Sequence, residues 1–435
     1  MRIAVVGGGV SGLGAAWALK GLHEVVLFEK DRRAGGHANT LSIDYDGTPI
    51  DVDTGFIVYN EPNYPNFTAL LDHLGVETAP SDMSFSVSDP AGFEWASTGL
   101  GGLFAWKRNL ARPAFLLMLN DMLRFNARAR ADLRANCING ATLDEYVSEV
   151  GVSPAFLQNY LLPMGAAIWS MPEADMLRYP AASFLRFFDN HRLLHAIKTK
   201  WRTIPGGSRN YVRAIMDDLG PRARLGEGAV SVSRDDHGVN LRTISGATEH
   251  FDQIILAGHA GQSLALLSDA DNRERGQLGA IRHAPNTAYL HRDPALMPRR
   301  KAAWASWNYL RGAGDGRVCV SYWMNRLQNL DAGKPLFVTL NPSRPPAADK
   351  TFAMLTYYHP QFDKAALDAQ TAIIAGNGAR RTWFAGAWLG HGFHEDGLSS
   401  GFRIAEALGA RLPWHGAPHR AHAPIAVGKP LLVNP

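Results

Sequence analysis

Cysteine is nearly absent: Cys137 and Cys319 are the only two in 435 residues. That excludes a disulfide-stapled scaffold and a cysteine-based metal centre, and no metal site is expected. Long apolar runs are missing too. The densest, 114–119, falls far short of the ~20 residues that span a bilayer. The chain opens with Met1, Arg2 and an apolar stretch, but this ends in three glycines rather than an A-x-A cleavage site, so it reads as a first strand. Charge of either sign is scarce at 19%, and 44 Lys+Arg against 40 Asp+Glu leave a net charge of only +4. Internal repeats and low-complexity tracts are also lacking. What remains is a chain 46% hydrophobic, long enough for two or three domains with a large core.

The strongest pattern occupies the first thirty residues. An apolar run at 3–6 precedes Gly7-Gly8-Gly9-Val10-Ser11-Gly12, a helix-like stretch follows, and a second apolar run at 24–28 ends in Glu29 and Lys30. This is the strand–glycine loop–helix–strand–acid order of a dinucleotide-binding unit. Gly7 permits the tight turn, Gly9 lets backbone approach a pyrophosphate, and Gly12 lets the helix pack closely on the sheet. The N-terminus of the helix, at Val10 and Ser11, offers unpaired N–H groups to phosphate, and Glu29 suits a ribose diol.

Both NAD and FAD use such a unit, so neighbouring motifs must decide. Arg33-Ala34-Gly35-Gly36-His37 resembles the R-x-G-G-R segment of the flavin-containing amine oxidase and carotenoid desaturase superfamily. Residues 51–56 (DVDTGF), with Thr54, Gly55 and Phe56, resemble its segment reaching the flavin ring. Residues 383–408 resemble its C-terminal FAD motif, with Gly386 in a turn and a helix opening near Gly397 and Leu398. For Glu395 and Asp396 a cofactor role competes with ordinary first-turn helix capping. A strand–turn–strand region near 224–257 would give adenine contacts through Ala229 and Val230.

The resemblance implies noncovalent FAD and an α/β architecture: a discontinuous Rossmann-like FAD domain (1–90, 205–285 and 375–410) with an α+β substrate domain. The latter would comprise a helical segment, 91–204, and an antiparallel sheet within 286–374, with strands expected at 287–291, 303–310, 318–324, 336–340 and 352–358. Residues 411–435, with five prolines and no acid, should form an irregular tail. His37 stands where the superfamily usually has Arg, which would weaken one phosphate contact. Gly376-Asn377-Gly378 lacks the remaining features of a second loop, so no NAD(P)H domain is expected.

Fifteen of the 44 basic residues, against three acids, fall within 100–134 and 178–213. Trp106, Lys107, Arg108 and Arg112 in the first segment, and Phe187, Phe188, Arg192, Lys198, Lys200 and Trp201 in the second, suit a surface lying on anionic lipid. The competing reading makes the aromatics core and the arginines a solvated face. No nucleic-acid motif accompanies the charge.

Residues 181–213, 322–327, 336–342 and 392–401 closely resemble a bacterial branch of the superfamily associated with fatty acid cyclopropanation and methylation. That branch includes flavin-dependent desaturases of methyl-branched acyl chains that lead to furan fatty acids. The resemblance implies a desaturase passing hydride from a phospholipid acyl chain to flavin, with a lipid methyltransferase as a candidate partner. The expected location is cytoplasmic, on the inner face of the cell membrane. Tyr59, His391 and His394 are the candidate bases. Amine oxidation, desaturation of a carotenoid or porphyrinogen, and a non-catalytic flavoprotein role are the alternatives.

Overall fold

The computed structural model describes residues 1–138, 140–195, 199–312 and 318–414; Lys198 and the tail beyond Trp414 lie outside them. Five parallel strands form the first sheet, in the order Thr382–Phe384, Gln253–Leu256, Arg2–Val6, Glu24–Glu29, Ala223–Leu225. Alternation of side chains builds two cores. Ile3, Val5, Val25, Leu27 and Ile255 face the helices Val10–Leu19, Arg209–Leu219 and His394–Ala407. Ala4, Val26, Phe28, Ile254 and Leu256 face a three-stranded antiparallel sheet, where Phe28 and Phe251 meet edge to face at 5.9 Å. Burial on both faces explains why these strands read as continuous apolar runs.

A seven-stranded sheet forms the second layer, in the order Thr351–Gln361, Arg282–His291, Phe337–Leu340, Cys319–Trp323, Trp307–Leu310, Phe85–Ser88, Glu94–Ala96. Its pairs are antiparallel except Trp307–Leu310 with Phe85–Ser88. The strand expected at 303–310 is shorter, because Lys301–Ala303 forms a 3-10 turn before it. Helices Pro113–Ala135, Leu143–Val150, Leu162–Trp169 and Ala181–Asn190 share one core with this sheet.

The segment expected to be helical, 91–204, also contains two short strands. Glu94–Ala96 closes the large sheet because the buried Glu94 carboxylate is tied down there. It accepts from the Arg299 and Arg300 backbone N–H groups (2.6 and 3.2 Å) and the Arg300 guanidinium (2.9 Å). Trp201–Thr203 pairs with Ala79–Ser81.

Phe187 and Phe188 do not meet lipid. They are 3% and 0% exposed, packed with Phe184 and Trp169. The reason is helical periodicity: positions 184, 187 and 188 lie on one stripe of Ala181–Asn190, and that stripe is core. Trp201 is half-buried, whereas Arg192 and Lys200 are exposed. Trp106 is half-buried beneath Arg108 and Arg112, whose guanidinium carbons stand 5.9 and 5.1 Å from its ring.

The C-terminal helix begins at His394 rather than near Gly397. Asp396 accepts hydrogen bonds from the backbone N–H groups of His391 (3.1 Å) and Phe393 (2.9 Å), which caps the helix three residues earlier.

Candidate active site

The glycine loop is held from both sides. Gly7 has φ +110°, and a Cβ there would lie 3.0 Å from the Ala257 carbonyl oxygen; a Cβ on Gly12 would run into the Gly7 carbonyl oxygen. Gly8 N–H donates to Glu29 Oε2 (2.6 Å), and Asp31 N–H donates to Oε1 (2.9 Å). Gly35 N–H donates to the Gly8 carbonyl (2.7 Å), and Gly36, at φ +56°, comes so close that its Cβ would sit 3.1 Å from Gly9 Cα. Arg33 braces this second loop by donating to the carbonyls of Ala34 (3.2 Å), Ala38 (3.1 Å) and Gly36 (2.9 Å). Gly9 differs from its neighbours: a Cβ there would have nothing within 4 Å, because it would project into open space.

That space is a cavity of about 1710 Å³. It runs past Glu29, Lys30 and Ala229, along Gly7, Gly9, Val10, Ser11, Gly35, Gly36 and His37, to Thr54, Gly55, Phe56, Gly386, His391 and His394. Gly12, Val230, Asp396, Gly397 and Leu398 lie off its wall. Gly12 and Gly397 serve close packing, since a Cβ on Gly397 would lie 2.9 Å from Val10 Cγ1. Leu398 is core, Val230 faces solvent, and the Asp396 carboxylate is taken up by capping. Tyr59 is also off the cavity. It is buried in an aromatic cluster with Tyr64 and Phe67, its hydroxyl interacting with Thr78 and Arg202, so it does not reach a substrate.

Three buried polar groups back the middle of the cavity: Asp53 and Thr54 fall within the 51–56 segment and Glu395 stands beside Asp396, whereas their partners Ser208, Gln328, Tyr357, Asn39 and Asn66 carry no motif. Asp53 accepts from Thr40 Oγ1 (2.6 Å), Ser208 Oγ (2.7 Å), Ser208 N–H (3.0 Å) and Gln328 Nε2 (3.0 Å). Burial pushes its pKa up to about 6 despite those bonds. Thr54 Oγ1 and Tyr357 OH lie 2.7 Å apart, and Asn39 Nδ2 donates to the same phenol (2.9 Å). Glu395, raised by burial to about 7, accepts from Asn66 N–H (3.0 Å) and Phe67 N–H (2.9 Å) at the start of the helix Pro65–His73.

Four histidines, His37, His259, His283 and His359, line one stretch of the wall. His259 and His283 stack at 4.3 Å, and His37 lies 5.0 Å from Tyr357 and 5.6 Å from His359. Burial lowers all four; His359 falls to about 4 and His283 to about 3. His37 is therefore neutral near pH 7, unlike the arginine it replaces. His394 stacks on Phe56 at 3.8 Å, its Nε2 lies 2.7 Å from Tyr211 OH, and burial lowers it to about 3. His391 holds a place on the wall beside Phe187.

Beyond Phe56 the cavity turns apolar, walled by Met83, Phe85, Trp95, Met164, Trp307 and Tyr322. Of the four carboxylates lining the cavity, Glu29 and Asp31 lie by the glycine loop, and the other two are matched by arginines: Asp82 by Arg326 (3.0 Å) and Glu61 by Arg202 (3.6 Å). Burial opposes ionisation of Asp82, but hydrogen bonds from Ser306 and Ser84 and the Arg326 charge hold it below the usual carboxylate range.

An elongated groove with an open glycine cradle and a helix N-terminus fits a flavin dinucleotide. The sequence profile of flavin-containing amine oxidoreductases matches residues 10–325. The chain belongs to that family. Membership of that family carries FAD as the cofactor. The chain is 26% identical over 266 residues to a putative flavin-containing monoamine oxidase, AofH, of Mycobacterium tuberculosis, a match covering 57% of this chain and 54% of the relative. The alignment thus spans about half the length of that curated relative.

Solved structures share the fold. A CLA-producing fatty acid isomerase from P. acnes superposes with TM-score 0.68 at 16% identity, covering 94% of this chain and 99% of that one. Putrescine oxidase bound to putrescine gives 0.66 at 15%, with the same coverage. A putative protoporphyrinogen oxidase from Exiguobacterium sp. 255-15 gives 0.65 at 16%, covering 94% and 98%. The amine-oxidase-like α/β architecture expected from the sequence is therefore the observed one.

Proposed function

We propose that this enzyme is a desaturase that dehydrogenates a methyl-branched, unsaturated fatty acyl chain. The observation that carries the reading is the apolar arm of the cavity, where both carboxylates already have arginine partners. A cationic or diamine substrate would leave charge uncompensated there, whereas an acyl chain gains by leaving water. Bound FAD supplies the two-electron acceptor for the hydride.

The chain's own residues do the rest. Phe56 and His394, the latter backed by Tyr211, wall the centre of the cavity, and the aromatic arm excludes water and fixes the acyl carbon beside it. The weakened allylic C–H leaves as hydride, the neighbouring C–H gives its proton to a base, and a C=C bond forms between the two carbons. His391, on the cavity wall, is the candidate base, since Tyr59 lies off the cavity and burial lowers His394 to about 3. His391→Gln should cut turnover by roughly 10²-fold while the variant keeps its flavin absorbance.

The deciding experiment mixes the holoenzyme anaerobically with a detergent-dispersed, methyl-branched monounsaturated phospholipid. Flavin bleaching with a diene product is expected. No bleaching, with amines oxidised and hydrogen peroxide released in a parallel aerobic assay, would overturn the reading. That amine-oxidising alternative is favoured by the name of the mycobacterial relative.

A further inference from the structure

Twelve large hydrophobic side chains stand exposed among the described residues, and five of them fall within 100–123: Leu100, Leu110, Leu116, Leu117 and Leu123. They share that stretch with Lys107, Arg108 and Arg112, which are all exposed, and no acidic residue occurs from 97 to 120. Asp121, the next acid, is buried and paired with Arg124 (3.0 Å).

The local structure holds these groups outward. Asn109 is buried and donates through Nδ2 to the Glu94 carbonyl (3.0 Å), pinning the turn Lys107–Ala111 so that Leu110 projects. Pro113 then starts a 23-residue helix. Phe115, Met118 and Phe125 of that helix face the core, and Leu116, Leu117 and Leu123 face away. Leu100 is 76% and Leu123 69% exposed, an arrangement that costs free energy in water unless something covers it.

The same elements line the cavity on their inner side. Thr98, Gly99 and Leu103 come from one side of the patch, and Met122 and Asn126 from the long helix. Gly99 is both exposed and part of the cavity wall, so the cavity reaches the surface beside Leu100.

We propose that the face formed by residues 100–123 docks on an anionic phospholipid bilayer, with its leucines in the acyl layer, its three cations at the headgroups, and the apolar arm opening toward the lipid. Projecting leucines beside exposed positive charge match the chemistry of an anionic interface. The proposal extends the acyl-chain reading, but docking needs no turnover and is measured without it.

The test is co-sedimentation of the holoenzyme with phosphatidylcholine vesicles, with and without phosphatidylglycerol. Sedimentation with the anionic vesicles alone is expected, weakening as salt rises. Arg108→Gln with Arg112→Gln should lower partitioning by roughly twenty-five-fold, at about five-fold per charge. Leu117→Ser with Leu123→Ser should abolish it, with flavin absorbance and melting temperature unchanged as controls for folding. Absence of sedimentation, equal binding to neutral vesicles, or variants that bind like the parent would each overturn the proposal. A dimer that the leucine variant splits, with no vesicle binding, would overturn it in favour of a second copy. Diene formation from detergent-dispersed lipid tests the acyl-chain reading separately, so either idea can fail alone.

Discussion

Gly9 and Gly12 sit three positions apart in one loop and should respond to the same substitution in opposite ways. A methyl at Gly9 meets nothing within 4 Å, and its φ of −75° is ordinary, so Gly9→Ala should fold normally. It would fill the cradle, and FAD titration by fluorescence should show affinity reduced at least roughly ten-fold with the apo-protein melting temperature unchanged. Gly12→Ala drives its methyl into backbone and should fail to yield folded protein. Glu395 and Asp53 carry a second residue-scale expectation. Each has a folded pKa raised by burial, to about 7 and about 6, so each favours the folded state while protonated. That contribution is complete below the ordinary carboxylate pKa and is lost as pH rises through the folded value, by an amount of order 3 kcal/mol per group. Melting curves of Glu395→Gln and Asp53→Asn against the parent should therefore improve in relative terms between about pH 5 and pH 8. A difference that does not vary with pH would contradict the assignment. Both carboxylates sit in legible motifs, but their buried anchoring role was not legible, because Ser208, Gln328, Asn66 and Phe67 approach them only in the folded chain.

The helix His394–Ala407 is the element on which the centre of the cavity depends. It crosses the helix Val10–Leu19 so closely that a Cβ on Gly401 would strike the Ser11 carbonyl oxygen. Gly401→Ala should destabilise by roughly 1–3 kcal/mol in chemical denaturation, and should also weaken FAD binding by displacing the glycine loop. The motif was readable, but the helix start was not. Residues 390–393 carry no helix signal of their own, and the Asp396 caps that set the boundary require the turn to be already formed. The aromatic helix Ala181–Asn190 shows the converse. Its spacing of Phe184, Phe187 and Phe188 is that of any amphipathic helix, and only the presence of Trp169 and Leu162–Trp169 on that side made the stripe core rather than surface.

At the scale of the whole molecule, buried neutral histidines recur: His283, His359 and His394 line the cavity, and His291 lies within the large sheet beside Thr339. His283 and His394 fall to about 3, and His291 and His359 to about 4, because burial penalises the cation. A depressed folded pKa contributes stability above about pH 6.5 that is lost as pH falls toward the folded value. The apo-protein should therefore lose melting temperature between about pH 6.5 and pH 4, and His283→Gln with His359→Gln should reduce that loss. FAD should oppose unfolding by mass action, by about 2.7 kcal/mol at a hundred-fold excess over its dissociation constant. Its removal should lower the melting temperature accordingly.

The sequence by itself determined the cofactor and the family architecture. The glycine loop, Glu29, the Arg33–His37 segment and the C-terminal motif are local patterns, each dictated by backbone geometry at the phosphates or by close helix packing. Only the tertiary structure decided which polar and aromatic side chains face the cavity, which carboxylates are neutralised, and which leucines remain outside. Those outcomes depend on contacts between segments hundreds of residues apart, as when His37 meets His359 or Asp53 meets Gln328. Burial, and the desolvation and packing that come with it, belongs to the assembled surfaces and not to any stretch of chain.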